Sequence, residues 1–287
     1  MKYARYFFEY IIIQTLFNFF KLIGYKNSSN IGEKIGKLIG PLFRSKKKII
    51  ENLKQSKISS DNHEIEKIIS NMWGNYGRIL AEYPHIKKFK NNNLKNHIKI
   101  NGLEILEDIK KNNKQVVFIS GHFNNFELMA MVIQKEGVNL GAIYRPLNNF
   151  FLNKTMEKIR IKHICKIQIK KGLSGIREIL NLFKKNVSIA LMIDQRVTEG
   201  IKSNFFNREA FTTTIPAQLV KKFNCPVVSI YIERIEKYNF RLIINKPIYF
   251  AKDESLEQIT EKLNYILEKM VLKNPEQWIL THNRWKL

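Results

Sequence analysis

The chain has 287 residues, 44% of them hydrophobic and 11% aromatic, long enough to bury a sizeable core and too apolar for a disordered segment. Its 49 Lys and Arg against 25 Asp and Glu give a formal charge of +24, which implies a polyanionic neighbour: nucleic acid, an anionic membrane surface, or acidic substrates and carriers. Most of the excess is lysine spread along the chain, a pattern that compositional drift also produces. Cys165 and Cys225 lie far apart without a CxxC pattern, and the six histidines show no HExxH spacing. Neither a disulfide framework nor a metal site is expected.

Residues 1–25 are rich in Phe, Tyr, Ile and Leu and begin with Lys2 and Arg5. They lack a small-residue cleavage site, so a removed signal peptide is not expected. Glu9, Gln14, Asn18 and Lys21 interrupt the run, which forms neither a clean span nor a clean amphipathic face. A membrane-embedded anchor is the preferred reading over a soluble core helix, and basic residues on both flanks leave its orientation open. From Gly36 to about Pro84 the pattern is helical. It carries a basic cluster (Arg44, Lys46, Lys47, Lys48), read either as a solvated face or as a contact for anionic head groups. A helix over His63–Tyr83 places Met72, Trp73, Tyr76 and Leu80 on an apolar stripe that reads as core.

A short strand (His97–Ile100) and a helix (Leu103–Lys111) come next. Strands are then expected at Val116–Ser120, Leu140–Tyr144, Lys166–Ile169 and Ser188–Ile193, with helices at Asn125–Lys135, Phe151–Lys162 and Ser174–Lys185 between them. This alternation predicts an α/β fold, a central β-sheet covered by helices. Residues 195–213 read as a loop, Ile215–Phe223 as a helix, Val227–Glu233 and Phe240–Asn245 as a hairpin, and Ser255–Leu272 as the closing helix.

The stretch most loaded with chemistry runs from Gln115 to Glu127. Four apolar residues, Val116 to Ile119, lead into Ser120-Gly121 and then His122, and Glu127 stands five positions later at the start of a helical pattern. On a helix, residues five apart point away from each other. The two side chains meet only if His122 lies in the turn before a helix capped near Asn124 or Asn125. A carboxylate on one imidazole nitrogen fixes the tautomer and leaves the other nitrogen as a base. On the sequence alone, a surface loop with a chance His and Glu explains the stretch as well.

The His-x4-Glu pattern after a strand resembles the signature of glycerolipid-type acyltransferases. The neighbouring sequence is similar to one branch of them, the lipid A biosynthesis (lauroyl/myristoyl) acyltransferases. The same order of matches continues through Tyr144-Arg145-Pro146 with Asn148-Asn149, Arg160, and Ile193-Asp194-Gln195 with Gly200 and Asn204-Phe205-Phe206. It ends with Pro275-Glu276-Gln277-Trp278 and His282-Asn283-Arg284-Trp285-Lys286. One departure is Asn207, where the family has glycine.

The resemblance implies residues 1–25 as a membrane-associated helix and 26–287 as an acyltransferase domain, with a helical lead-in at 26–90 and an α/β catalytic core at 91–287. It implies acyl transfer from acyl carrier protein to a hydroxyl of a phosphorylated glycolipid, a lipid A precursor, at the cytoplasmic face of a bacterial inner membrane. No cofactor, metal or nucleic acid is expected. His122 is the expected general base and Glu127 its orienting partner. Arg145 and Arg160 are expected on lipid phosphates, which need permanently charged bidentate donors, although each could instead pair with a structural carboxylate. Asp194 and Asn125 are expected at the substrate, Asp194 with a positioning role left open. Trp278 and Trp285 read as packing residues, Arg284 as a site-edge or ion-pair residue, and Thr212-Thr213-Thr214 as a helix cap. The enzyme rival is the same chemistry on another phospholipid or glycolipid acceptor with acyl-CoA as donor. The rival from another class is a basic membrane-surface or nucleic-acid-binding protein without catalysis.

Overall fold

A computed structural model describes residues 2–286. The N-terminal third is helical: α1 (Lys2–Ile23), α2 (Tyr25–Ile39), α3 (Lys46–Gln55), α4 (Asn62–Glu82) and the short α5 (Ile86–Lys90). The strand–helix part then follows as β1 (Ile98–Asn101), α6 (Leu103–Lys111), β2 (Val117–Ser120), α7 (Glu127–Lys135), β3 (Leu140–Tyr144), α8 (Phe150–His163), β4 (Ile167–Lys170), α9 (Leu173–Lys184) and β5 (Ser188–Met192). The chain continues through β6 (Ile201–Phe205), β7 (Arg208–Thr212), α10 (Ile215–Phe223), β8 (Val227–Glu236), β9 (Asn239–Ile244) and α11 (Leu256–Lys273).

Seven strands form one sheet in the order β1-β9-β8-β2-β5-β3-β4. All neighbours are parallel except the hairpin β8/β9. β2 is buried along its whole length, as a central parallel strand covered by helices on both faces must be. Chain order and space order part company here: β2 and β3 are joined through α7, yet β5 lies between them. This brings the C-terminal ends of β2 and β5 side by side, where open α/β sheets hold their ligands.

The stretch expected as a loop at 195–213 instead contains the antiparallel pair β6/β7. Phe205 faces Arg208 across a two-residue turn in which Phe206 and Asn207 both have φ 56°. Two left-handed residues make the turn type whose twist suits a hairpin, and asparagine at the second position tolerates that conformation. The Phe206 N–H donates to Glu268 of α11 at 2.6 Å, and buried Arg284 donates to Phe211 O and Thr212 Oγ1. Arg284 therefore pins the hairpin; it makes no ion pair among the described residues. Thr214 at the start of α10 makes no side-chain cap bond, while Thr212 is engaged by Arg284.

α2 and α4 pack at backbone contact. A Cβ on Gly77 would fall 1.9 Å from Gly32 O, and one on Gly36 2.2 Å from Trp73 O. Of α1, only Phe17 and Phe20 are buried. Phe17 stacks on Tyr83 with ring centroids 6.0 Å apart, while Tyr3, Phe7, Phe8, Ile11 and Ile12 are exposed. The helix is 22 residues long, and its most apolar 18-residue stretch has mean hydropathy 1.2 with 11% of it buried. By length and composition it is long and apolar enough to cross a membrane, and most of it lies outside the core. The backbone contact between α2 and α4 generates a stability prediction. Because the clash in Gly77→Ala is with backbone and not with a movable side chain, we expect a loss of about 1–3 kcal/mol, read as a Tm several degrees lower for the purified full chain.

Candidate active site

β2 and β5 run in register, Ser120 opposite Met192. Two residues beyond each partner stand His122 and Asp194. Equal overhang past adjacent parallel strands carries the two side chains to one point, and His122 Nδ1 lies 2.8 Å from Asp194 Oδ1. The His122 backbone N–H donates to Asp194 Oδ2 at 2.9 Å. Trp278 Nε1–H donates to the same oxygen at 2.9 Å. The Asp194 side chain is only 1% exposed. Burial works against its charge, but the His122 imidazole and these donors overcome it and hold the carboxyl at about 2. In return, although burial opposes it, Asp194 first and Glu127 second raise the His122 pKa above its ordinary value.

The His122 turn is gripped from behind. Phe123 bridges Trp278 in antiparallel fashion, the Asn124 N–H donates to Gln277 O at 2.8 Å, and Asn124 Nδ2 donates to Gln277 Oε1 at 2.8 Å. Asn124 takes a left-handed φ of 44°, and its Oδ1 accepts from Arg234 Nη2 at 3.0 Å. Arg234 in turn forms a two-pronged pair with Glu82 at 2.8 and 3.0 Å. Glu82 is fully buried and accepts further hydrogen bonds from Ser29 and Asn125.

On the other side of His122, Glu127 opens α7. Its Oε1 accepts from Arg160 Nε at 2.8 Å and Nη2 at 2.6 Å, with a long contact of 3.4 Å to the Tyr83 hydroxyl. Between α7, α8 and the sheet lies a cavity of about 420 Å³. His122, Glu127, Tyr144, Arg145 and Arg160 line it together with Phe118, Met129, Ala130, Ile133, Ile143 and Ile164.

The bacterial lipid A biosynthesis acyltransferase family matches the chain over residues 1–287. The chain belongs to that family, and it is an acyltransferase. It is 25% identical over 266 residues to the lipid A biosynthesis palmitoleoyltransferase of Escherichia coli (strain K12), covering 89% of this chain and 84% of that one. It is 22% identical over 251 residues to lipid A biosynthesis acyltransferase 2 of Shigella flexneri, covering 86% and 79%. Among solved structures, the 1-acyl-sn-glycerophosphate acyltransferase PlsC from Thermotoga maritima aligns over 96% of this chain and 99% of that one, with 12% identity and a TM-score of 0.43. The non-catalytic rival reading gives way to the family match.

In this acyltransferase the expected site residues divide. His122 lines the cavity, and so do Glu127, Arg145 and Arg160. The expected His122–Glu127 hydrogen bond is replaced by His122–Asp194, because Glu127 is committed to Arg160. Arg160 correspondingly has its charge matched inside the protein, the alternative held open from the sequence. Asp194 does not line the cavity, and its side-chain hydrogen bonds are to His122 and Trp278, so its link to the cavity runs through the imidazole. Asn125 is fully buried against Glu82 and away from the cavity. Its expected place at the substrate and as a cap is not found; α7 starts after Phe126 with no side-chain cap. Arg145 is exposed at the cavity lining and unpaired among the described residues. Trp278, expected as packing alone, is a hydrogen-bond donor to the buried carboxylate. The signal for it was the C-terminal Pro-Glu-Gln-Trp match, which had no local explanation in helix or strand patterning.

Replacing the Asp194 charge tests the electrostatics directly. In Asp194→Asn the His122 ring loses the group that most raises its pKa, while burial, which lowers it, remains. Its NMR titration midpoint should fall below that of the wild type. An unchanged midpoint means that Asp194 does not govern the imidazole.

Proposed function

We propose that the enzyme moves a fatty acyl chain from the thioester of acyl carrier protein to a hydroxyl of a phosphorylated glucosamine lipid, a lipid A precursor of the Kdo–lipid IVA type, with His122 as general base. The observation that carries this reading is the imidazole itself. Its Nδ1 is committed to a buried, ionised Asp194, and its ring faces a cavity lined by both apolar and basic side chains. With Nδ1–H donated to the carboxylate, Nε2 holds the lone pair that accepts the proton of the acceptor hydroxyl. The hydroxyl oxygen attacks the thioester carbonyl, the C–S bond breaks as the tetrahedral adduct collapses, and the departing thiolate takes the proton back from the imidazolium. Ester and free thiol result, and Asp194 stabilises the charge on the ring between the two transfers.

Direct transfer is favoured over an acyl-enzyme. Burial pushes the Cys165 and Cys225 thiols up to about 11 and about 12, and neither lines the cavity. Ser120 does line it, but its hydroxyl donates to Gly121 O at 3.3 Å and Met129 Sδ at 3.4 Å and not to His122. The apolar part of the cavity suits a hydrocarbon chain, and an acidic carrier suits a chain of charge +24. Arg160 is held by Glu127 beside the reacting centre, where a fixed guanidinium favours developing negative charge.

His122→Gln should lower kcat by about 10²–10⁴ with unchanged circular dichroism, measured as acylated disaccharide lipid by mass spectrometry. The base works as neutral imidazole and its pKa is raised, so kcat/KM of the wild type should climb with pH through a midpoint above 6.5. A folded His122→Gln protein with near wild-type transfer overturns the mechanism. Transfer only to a glycerophospholipid acceptor overturns the substrate.

The same reading puts α1 in the cytoplasmic face of the bacterial inner membrane. Removal of residues 2–13 takes away the exposed aromatic part of α1 but keeps Phe17 and Phe20 in the core. We expect the shortened chain to fold and to leave the membrane in high salt, where attraction of its basic residues to anionic lipid is screened. Its activity on membrane-embedded lipid should fall further than on detergent-dispersed lipid. A shortened chain that stays membrane-bound in high salt places the attachment elsewhere.

A further inference from the structure

Beside the catalytic cavity lies a second basin, of about 450 Å³. Arg145 and Lys171 line both, so the two spaces adjoin. Four cations from four separate segments converge on the basin: Arg145 after β3, Lys171 after β4, Arg196 after β5 and Lys286 from the C-terminal segment. Glu199 is the single carboxylate in the lining, and the ion pairs among the described residues include none of the four cations. Like charges brought together without internal partners are unfavourable unless an anion relieves them. Desolvation lowers the Lys171 pKa, with a smaller contribution from Arg145, against the pull of Glu199.

The basin is also built and not merely charged. Arg196 Nε donates to Lys286 O at 2.6 Å and Nη1 to Thr198 Oγ1 at 3.2 Å, and its guanidinium lies 5.4 Å from the Phe211 ring centroid. That fixes the fork and leaves Nη2 without a hydrogen-bond partner among the described residues. His282 has Nδ1 buried without a partner. Burial first, and then Arg284, His122 and Lys171, press its pKa down to about 4 against the pull of Asp194. At neutral pH it is uncharged, so it lines the basin without adding charge. An arginine fork with ammonium groups and neutral donors suits tetrahedral phosphate oxygens.

We propose that this basin is a phosphate subsite, holding a phosphoryl group of one of the two substrates while the reacting carbonyl lies in the adjoining cavity. The phosphate belongs either to the glucosamine lipid acceptor or to the phosphopantetheine arm of the donor; this part rests on the acyl-transfer reading above, whereas the anion chemistry does not. The subsite moves phosphate recognition away from Arg160, whose charge Glu127 already occupies.

The test uses the full chain in detergent and the variants Lys171→Gln, Lys286→Gln and both together, whose lost side chains make no hydrogen bond to the described protein. Inorganic phosphate is titrated against each by ³¹P line broadening. KM is then measured for bisphosphorylated and phosphatase-treated disaccharide acceptor, and for acyl carrier protein against the phosphate-free acyl-N-acetylcysteamine thioester. We expect wild-type protein to broaden the phosphate signal and the double variant not to. Each single variant should raise KM for the phosphate-bearing substrate about three- to tenfold, the loss of one charged hydrogen bond, with kcat close to wild type. If the penalty vanishes on the phosphatase-treated acceptor, the acceptor supplies the group; if it vanishes on the phosphate-free thioester, the donor does. Either result supports the subsite. A penalty that survives removal of both phosphates overturns it, as does equal broadening by wild type and double variant. If wild-type enzyme acylates no disaccharide lipid, the functional reading fails, and the phosphate titration alone then decides the subsite.

Discussion

A carboxylate sealed from water is tolerable only if its charge is answered on the spot, since desolvating a lone ion costs several kcal/mol. Asp194 meets that condition with two donors from His122, one backbone and one side chain, and a third from Trp278. Each of these groups belongs to a different segment: the turn after β2, the loop after β5 and the C-terminal stretch. The carboxylate therefore ties the sheet to the chain end and sets the tautomer of the imidazole in one arrangement. Satisfying a buried charge and orienting the imidazole are here the same set of hydrogen bonds.

A second buried ionic unit supports the first. Glu82 and Arg234 neutralise each other beneath the His122 turn, and Arg234 and Glu82 reach up to Asn124 and Asn125. These two asparagines are held by the protein interior, which is why neither is available to a substrate. The left-handed Asn124 is a conformation that asparagine adopts more readily than other side chains, and its amide is used on both sides. The helical N-terminal part thus contributes to the site through Glu82 and Tyr83 at the end of α4, and the close packing of α2 on α4 is part of what fixes them.

Charge is distributed with two distinct purposes. Glu127 and Arg160 cancel within the cavity wall and leave a fixed dipole beside His122, whereas Arg145, Lys171, Arg196 and Lys286 converge without an ion pair among the described residues. The first arrangement leaves little net charge beside the imidazole, and the second concentrates positive charge in the adjoining basin. The overall +24 is too dispersed to distinguish these places by composition.

The sequence by itself determined the alternation of strand and helix from residue 98 to β5, the buried run of β2, the hairpin β8/β9 and the position of His122 in a turn between strand and helix, but not the hairpin β6/β7. These depend on local periodicity and turn chemistry, which a chain carries in neighbouring residues. The family likeness was legible for the same reason, as short motifs in order. Only the tertiary structure decided which acid serves the histidine. Glu127 is five residues away in sequence and Asp194 seventy-two, but β5 inserts between β2 and β3 and brings Asp194 level with His122, while Arg160 of α8 claims Glu127. The role of Trp278 and the convergence of the four cations were hidden likewise. Strand order and long-range pairing are set by packing across the sheet, and no spacing along the chain records them.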